Sequence, residues 1–283
     1  MSEIATANRL GLPSRAQFET DLIREILEDE LAPGQKLPSE RALAASSGLS
    51  RPIVREVLRS LAERGLIEIV PARGAFVRAP GSLQLATMMS SAARHQRATP
   101  NHLVQAREMI EVQTARSAAA RATESEVDEL RQLVGAFDRA PNVLDKARCD
   151  LALHASVARA SGNPVLSIMF GAIAPMVLEL MLRSLTDPVV LQLGGPMHAE
   201  IVDAIAQRWA DGAGDAMARH VTLARELYGS DLEAPLDELA AERLRAVLGG
   251  TVRLEDIIEQ VLLAARLDLT LEGRTALIAC LLR

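Results

Sequence analysis

The stretch LPSERALAASSGLSRPIVREVLRSLAERG, Leu37 to Gly65, holds two short helical patterns separated by one turn signal. Ser39 is placed to cap the first pattern, and Gly48 breaks it. Ser50 precedes the second, in which Val54, Val57, Leu58 and Leu61 recur at helical spacing and form one apolar stripe before Gly65. Opposite that stripe stand Arg51, Arg55 and Arg59 at i, i+4 and i+8. Upstream, Phe18, Leu22, Ile26 and Leu27 give a further helix that Pro33-Gly34 stops. Downstream, LIEIV and GAFV flank a Pro-Ala-Arg turn and read as a hairpin. Three helices and a hairpin, with a tight turn before the last helix, make a winged helix-turn-helix. A row of exposed arginines on that last helix suits the major groove, where the guanidinium fork matches guanine or phosphate oxygens.

Charge supports this reading. The net charge is −6, yet residues 36–80 carry eight Arg/Lys against four Glu, while residues 81–283 carry 20 basic and 26 acidic residues. A locally basic head on an acidic body excludes general coating of nucleic acid and fits a DNA-binding module joined to a sensing one. Hydrophobic residues make up 49% of the chain and aromatics 2%, so Ala, Leu, Val and Ile must fill the core, and such a composition favours helices. No apolar run reaches the roughly 18 residues that span a bilayer. The N-terminal residues lack a signal pattern, and two distant cysteines make no disulfide framework. A soluble cytoplasmic protein, with no membrane partner, is the expectation.

The head resembles the GntR family of bacterial transcription regulators. The resemblance runs from Phe18 to Val77 through L-x-P-G-x-x-L-P-S-E-R, G-L-S-R, V-R-E-V-L and R-G-A-F-V. It implies Arg41, Ser50, Arg51, Arg55 and the wing-tip Arg73 and Gly74 as DNA contacts, beside Arg59 from the arginine row. The family pattern S-R-T-P-V-R is replaced by Ser50-Arg51-Pro52-Ile53-Val54-Arg55, so a ring stands where a hydroxyl is usual. Proline in the first helical turn removes no helical hydrogen bond.

Past Ala79-Pro80-Gly81 the chain reads as helices near 83–97, 100–121, 124–138, 143–161, 164–185, 197–210 and 213–228. Their stops fall at Pro100, Pro141, Gly162-Asn163-Pro164, Asp187-Pro188 and Gly194-Gly195-Pro196. The fold class is therefore mainly α, a winged helix-turn-helix over 1–79 followed by an antiparallel all-α bundle over 80–228. Asp150 and His154, at i and i+4, share one helix face. With His198 and His220 from two other helices they form a donor set suited to Zn²⁺, Ni²⁺, Mn²⁺ or Fe²⁺. The same residues also read as two buried histidines with local partners and a surface His220.

The segments D-L-A-L-H-A-S-V-A-R-A-S-G-N, H-A-E-I-V-D-A-I and A-M-A-R-H resemble the FadR C-terminal (FCD) effector domain over about residues 83–228. That resemblance implies a divalent metal on Asp150, His154, His198 and His220. It also implies an acid effector near Arg107, with Asn163 as a hydrogen-bonding residue. Arg107 also reads as the i+4 partner of Glu111, and Asn163 as a turn before Pro164. His95 and His102 lie outside the pattern and read as surface residues.

Residues 229–283 read as three amphipathic helices separated by Gly249-Gly250 and by Leu269–Gly273, with Leu254, Ile258, Val261 and Leu262 at helical spacing. They are expected to pack on the body or on a second subunit. The functional expectation is a homodimeric transcription regulator, acting as a repressor on double-stranded operator DNA and released by a small organic acid. A metalloenzyme using the same metal and a direct metal sensor are the alternatives.

Overall fold

The computed structural model describes residues 14–27, 31, 34–77 and 82–236. The expected tail helices beyond residue 236, and the Ala79-Pro80-Gly81 linker, lie outside the described residues. Two compact units divide between Gln84 and Leu85.

In the first unit, α1 (Arg15–Leu27), α2 (Glu40–Ser47) and α3 (Arg51–Glu63) are followed by β1 (Ile67–Val70) and β2 (Gly74–Val77). Ser39 accepts the Ala42 N–H at 3.2 Å to cap α2. Gly48 ends α2 in the left-handed region, φ 72°, where a Cβ is disfavoured. Only two residues then separate Gly48 from α3, which fixes the helix-turn-helix. The stripe Val54, Val57, Leu58 and Leu61 is buried against Leu22, Ile26, Leu43 and Ile67. β1 and β2 pair antiparallel, Ile67 opposite Val77 and Val70 opposite Gly74. The segment before α2 adds an edge to β2, with Leu37 N–H donating to Ala75 O and Val77 N–H to Gln35 O, both at 2.8 Å.

The second unit is helical: α4 (Ser82–His95), α5 (Pro100–Arg121), α6 (Glu124–Arg139), α7 (Val143–Ala160), α8 (Pro164–Ser184), α9 (Pro188–Ala206) and α10 (Ala210–Leu227). Polar caps start five of them. Thr99 and Thr123 form capping boxes with His102 and Glu126, while Asn142, Asn163 and Asp187 accept first-turn N–H groups. His95 and His102 are exposed, as expected. A short 3₁₀ turn, Gly229–Glu233, stands where the first tail helix was expected to begin.

Two expectations are corrected here. The segment before His198 is not a break: α9 starts at Pro188 and runs through Gly194-Gly195-Pro196, and α10 starts at Ala210. Glycine costs about 1 kcal/mol and proline about 3 kcal/mol in a helix interior. The packing of α9 against α10 and α6 overrides that local cost. Second, α8 is long and apolar enough to cross a bilayer by length and composition, although 72% of its most apolar window is buried within the protein. It is the core helix, with Phe170, Val177, Leu178 and Leu182 almost fully enclosed.

Candidate functional site

On the first unit, Arg41, Ser50, Arg51, Arg55, Arg59, Arg73 and Gly74 are all exposed. Ser50 occupies the N-cap position of α3, yet its side chain makes no cap bond. Arg73 lies at the hairpin tip with its guanidinium 5.6 Å from the Phe76 ring centre. Gly74 has φ 110°, and a Cβ there would meet the Lys36 side chain at 3.1 Å. Glu40 was not singled out from sequence. It takes a two-pronged bond from Arg55, Nε to Oε1 at 3.0 Å and Nη2 to Oε2 at 2.7 Å. That bond holds the Glu40 carboxyl below its usual range against the opposing effect of burial, with the charges of Arg55, Arg51 and Arg59 adding to it.

In the second unit α7, α9 and α10 bring Asp150, His154, His198 and His220 together. One ligand atom from each lies within 4.8 Å of all the others. Asp150 Oδ1 is 3.2 Å from His154 Nε2 and 3.1 Å from His198 Nε2. His154 Nε2 and His220 Nε2 face each other at 3.1 Å. Asp150, His154 and His198 are buried and His220 is half-buried. Asp150 Oδ1 and His198 Nε2 are buried and make no hydrogen bond. A set of imidazole nitrogens and a carboxylate oxygen converging on one point, two of them buried without a hydrogen bond, is what a divalent cation requires once the histidines are deprotonated. These residues therefore fit one.

The surroundings orient the donors. Glu111 on α5, also missed from sequence as part of the site, sits against His154 Nδ1, and Arg107 Nε donates to Glu111 Oε1 at 2.6 Å. A carboxylate behind a histidine leaves the other ring nitrogen to face the site. Burial opposes ionisation of Glu111, but Arg107 and His154 prevail and hold its pKa at about 2. Burial likewise pushes His154 down, yet Glu111 and Asp150 raise it to about 9. His220 is held well below its usual value by burial and by the neighbouring His198 and His154. The ring of Phe137 meets His198 edge-on, centres 4.7 Å apart.

Beside the donors lies a cavity of about 40 Å³ lined by Arg107, Phe137, Asp150, His198 and His220. Arg107 thus both pairs with Glu111 and borders the cavity. Asn163 does not reach it: its side chain caps α8, accepting from Val165 N at 3.0 Å and Leu166 N at 3.3 Å. The only local sequence signal for this centre is Asp150–His154, and Glu111 was hidden because its i−4 arginine already gave it a partner.

Comparison with known proteins agrees with both halves. Residues 15–77 match the model for bacterial regulatory proteins of the gntR family, and residues 102–223 match the FCD domain. The chain is 31% identical to the HTH-type transcriptional repressor NanR of Cronobacter sakazakii over 72% of its own length and 80% of that protein's. It is 27% identical to the HTH-type transcriptional regulator LutR of Bacillus subtilis over 74% and 98% of the two chains. Among solved structures a GntR protein of Streptococcus agalactiae superposes with a TM-score of 0.62 at 25% identity, covering 75% of this chain and all of that one. An arginine-bearing winged helix, a four-donor helical domain and these relatives converge: the chain belongs to the GntR family and is a DNA-binding transcription regulator carrying an FCD domain.

Proposed function

We propose that this regulator is a homodimeric repressor whose grip on a pseudo-palindromic operator is controlled by a small carboxylic acid bound at a divalent metal in the helical domain. The observation that carries this reading is the convergence of four donor atoms within 4.8 Å beside a cavity bordered by Arg107. Asp150, His154, His198 and His220 would hold Zn²⁺, Ni²⁺ or Mn²⁺. When bound, such a cation supplies a Lewis-acidic position for a carboxylate oxygen. Arg107 contributes positive charge at the cavity wall, and Glu111 fixes the ring of His154. On the head, Arg41, Ser50, Arg51, Arg55, Arg59, Arg73 and Gly74 form the operator-facing set, and two heads supply the affinity that one half-site lacks. An acid can release the operator only if it binds the DNA-incompetent form more tightly.

The test combines elemental analysis of the purified protein, a thermal-shift screen with small carboxylic acids, and operator binding with and without the acids that shift it. The expected result is a stoichiometric divalent metal and an acid that alters operator affinity. Metal-free protein that answers to no acid refutes the reading. The family and the relatives are regulators, which sets aside the metalloenzyme alternative.

A further inference from the structure

The Gly194-Gly195-Pro196 run is a costly choice for a helix interior, and the packing around it does not call for glycine. A Cβ on Gly194 would meet Leu223 Cδ2 at 3.5 Å, and one on Gly195 would meet Phe137 Cε1 at 3.6 Å, both ordinary contacts. Alanine would fit and would make a firmer helix. Pro196 also denies Gln192 O its helical donor. The weak point of α9 thus falls just before the donor His198.

It falls, too, between two spaces. The inner cavity measures only about 40 Å³, enough for an ion with a water or a carboxylate group. Next to it, Phe137, Lys146, Leu191, Gly195 and Pro196 line an open groove of about 410 Å³. Phe137 and Gly195 border both spaces. The Phe137 ring touches both His198, with ring centres 4.7 Å apart, and Lys146, whose Nζ is 4.7 Å from the Phe137 ring centre. Lys146 therefore lies no farther from His198 than those two distances laid end to end. Its ammonium now donates to the Phe137 carbonyl at 2.8 Å, so it is anchored to the wall itself. Asp138 also borders the groove, but it is exposed and screened by water.

We infer that Gly194-Gly195-Pro196 and the Phe137 ring form a gate between the metal cavity and the outer groove, and that the effector is a short dicarboxylic acid spanning both. One carboxylate enters the cavity and the second meets Lys146. This rests on the proposed metal-and-acid function and adds to it the class of acid, the residue that selects it and the part of α9 that yields.

The experiment uses the full chain loaded with Ni²⁺ and compares succinate with butyrate, acids of equal carbon number, by calorimetry and stopped flow. Succinate is expected to bind at least about tenfold more tightly, as a charge-assisted bond to Lys146 provides. Lys146→Gln is expected to erase that preference while keeping nickel content and butyrate binding. Gly194→Ala and Gly195→Ala are expected to slow succinate association about tenfold without loss of nickel. Equal affinities in the unaltered protein, or a preference that survives Lys146→Gln, overturn the dicarboxylate assignment. Unchanged association in both alanine variants overturns the gate. A protein that takes up no nickel, or binds nickel and neither acid, removes the underlying metal-and-acid reading instead.

Discussion

Replacing Glu111 by glutamine tests the centre from behind. The carboxylate is 1% exposed and lies between the Arg107 guanidinium and His154 Nδ1. Its pKa of about 2, against an ordinary 4.5, corresponds to about 3 kcal/mol of folded-state stability at neutral pH. The general cost of removing one partner of a buried pair, about 3–5 kcal/mol, agrees. Because the folded value is depressed, this contribution is present above 4.5 and is lost as pH falls through about 2. Urea unfolding of metal-free protein should therefore show Glu111→Gln about 3 kcal/mol less stable at pH 7, with only about half that gap near pH 3. The same variant should bind metal about 10–100-fold more weakly, since the carboxylate that orients His154 is lost. A variant within about 0.5 kcal/mol of the parent at pH 7, with a parallel pH profile, would refute the reasoning.

Other outcomes follow from the same geometry. Arg55→Ala should weaken operator binding by about 1–3 kcal/mol in a fluorescence titration, and unchanged affinity would remove it from the interface. His198→Ala should abolish metal in elemental analysis and the response to acids while the heads still bind operator; wild-type metal content contradicts that. His154, raised to about 9, must give up its proton to bind a cation, so metal affinity should climb with pH up to that value; a flat profile from pH 6.5 to 9 would exclude the proton exchange. Leu61→Ala, at a fully buried position, should destabilise the head by about 2–5 kcal/mol in chemical unfolding.

The head was readable because its signals are local. Ser39, Gly48 and Gly65 mark ends, and the Val54–Leu61 stripe sets the buried face within one helix. The centre was readable only in part. Asp150 and His154 announce themselves four residues apart, but the approach of His198 and His220 depends on how α9 and α10 pack, and no spacing encodes that. Glycine and proline misled at residues 194–196, where tertiary contacts outweighed propensity. Asn163 shows the reverse: its ordinary reading as a turn residue before proline matches the cap it forms.

The walls of the centre differ in how far they can yield. α5 and α10, which carry Arg107, Glu111 and His220, share one core cluster in which Ala115, Ala118 and Ala119 lie with Ala213, Ala216, Met217 and Val221. An alanine has no rotamer to change, so the alanine part of that seam leaves little slack. A guest is accommodated more readily at α9, where side chains are absent at Gly194 and Gly195. Stiffness on one side and compliance on the other would give ligand entry a single direction of give, and so a single displacement for the bundle to pass on.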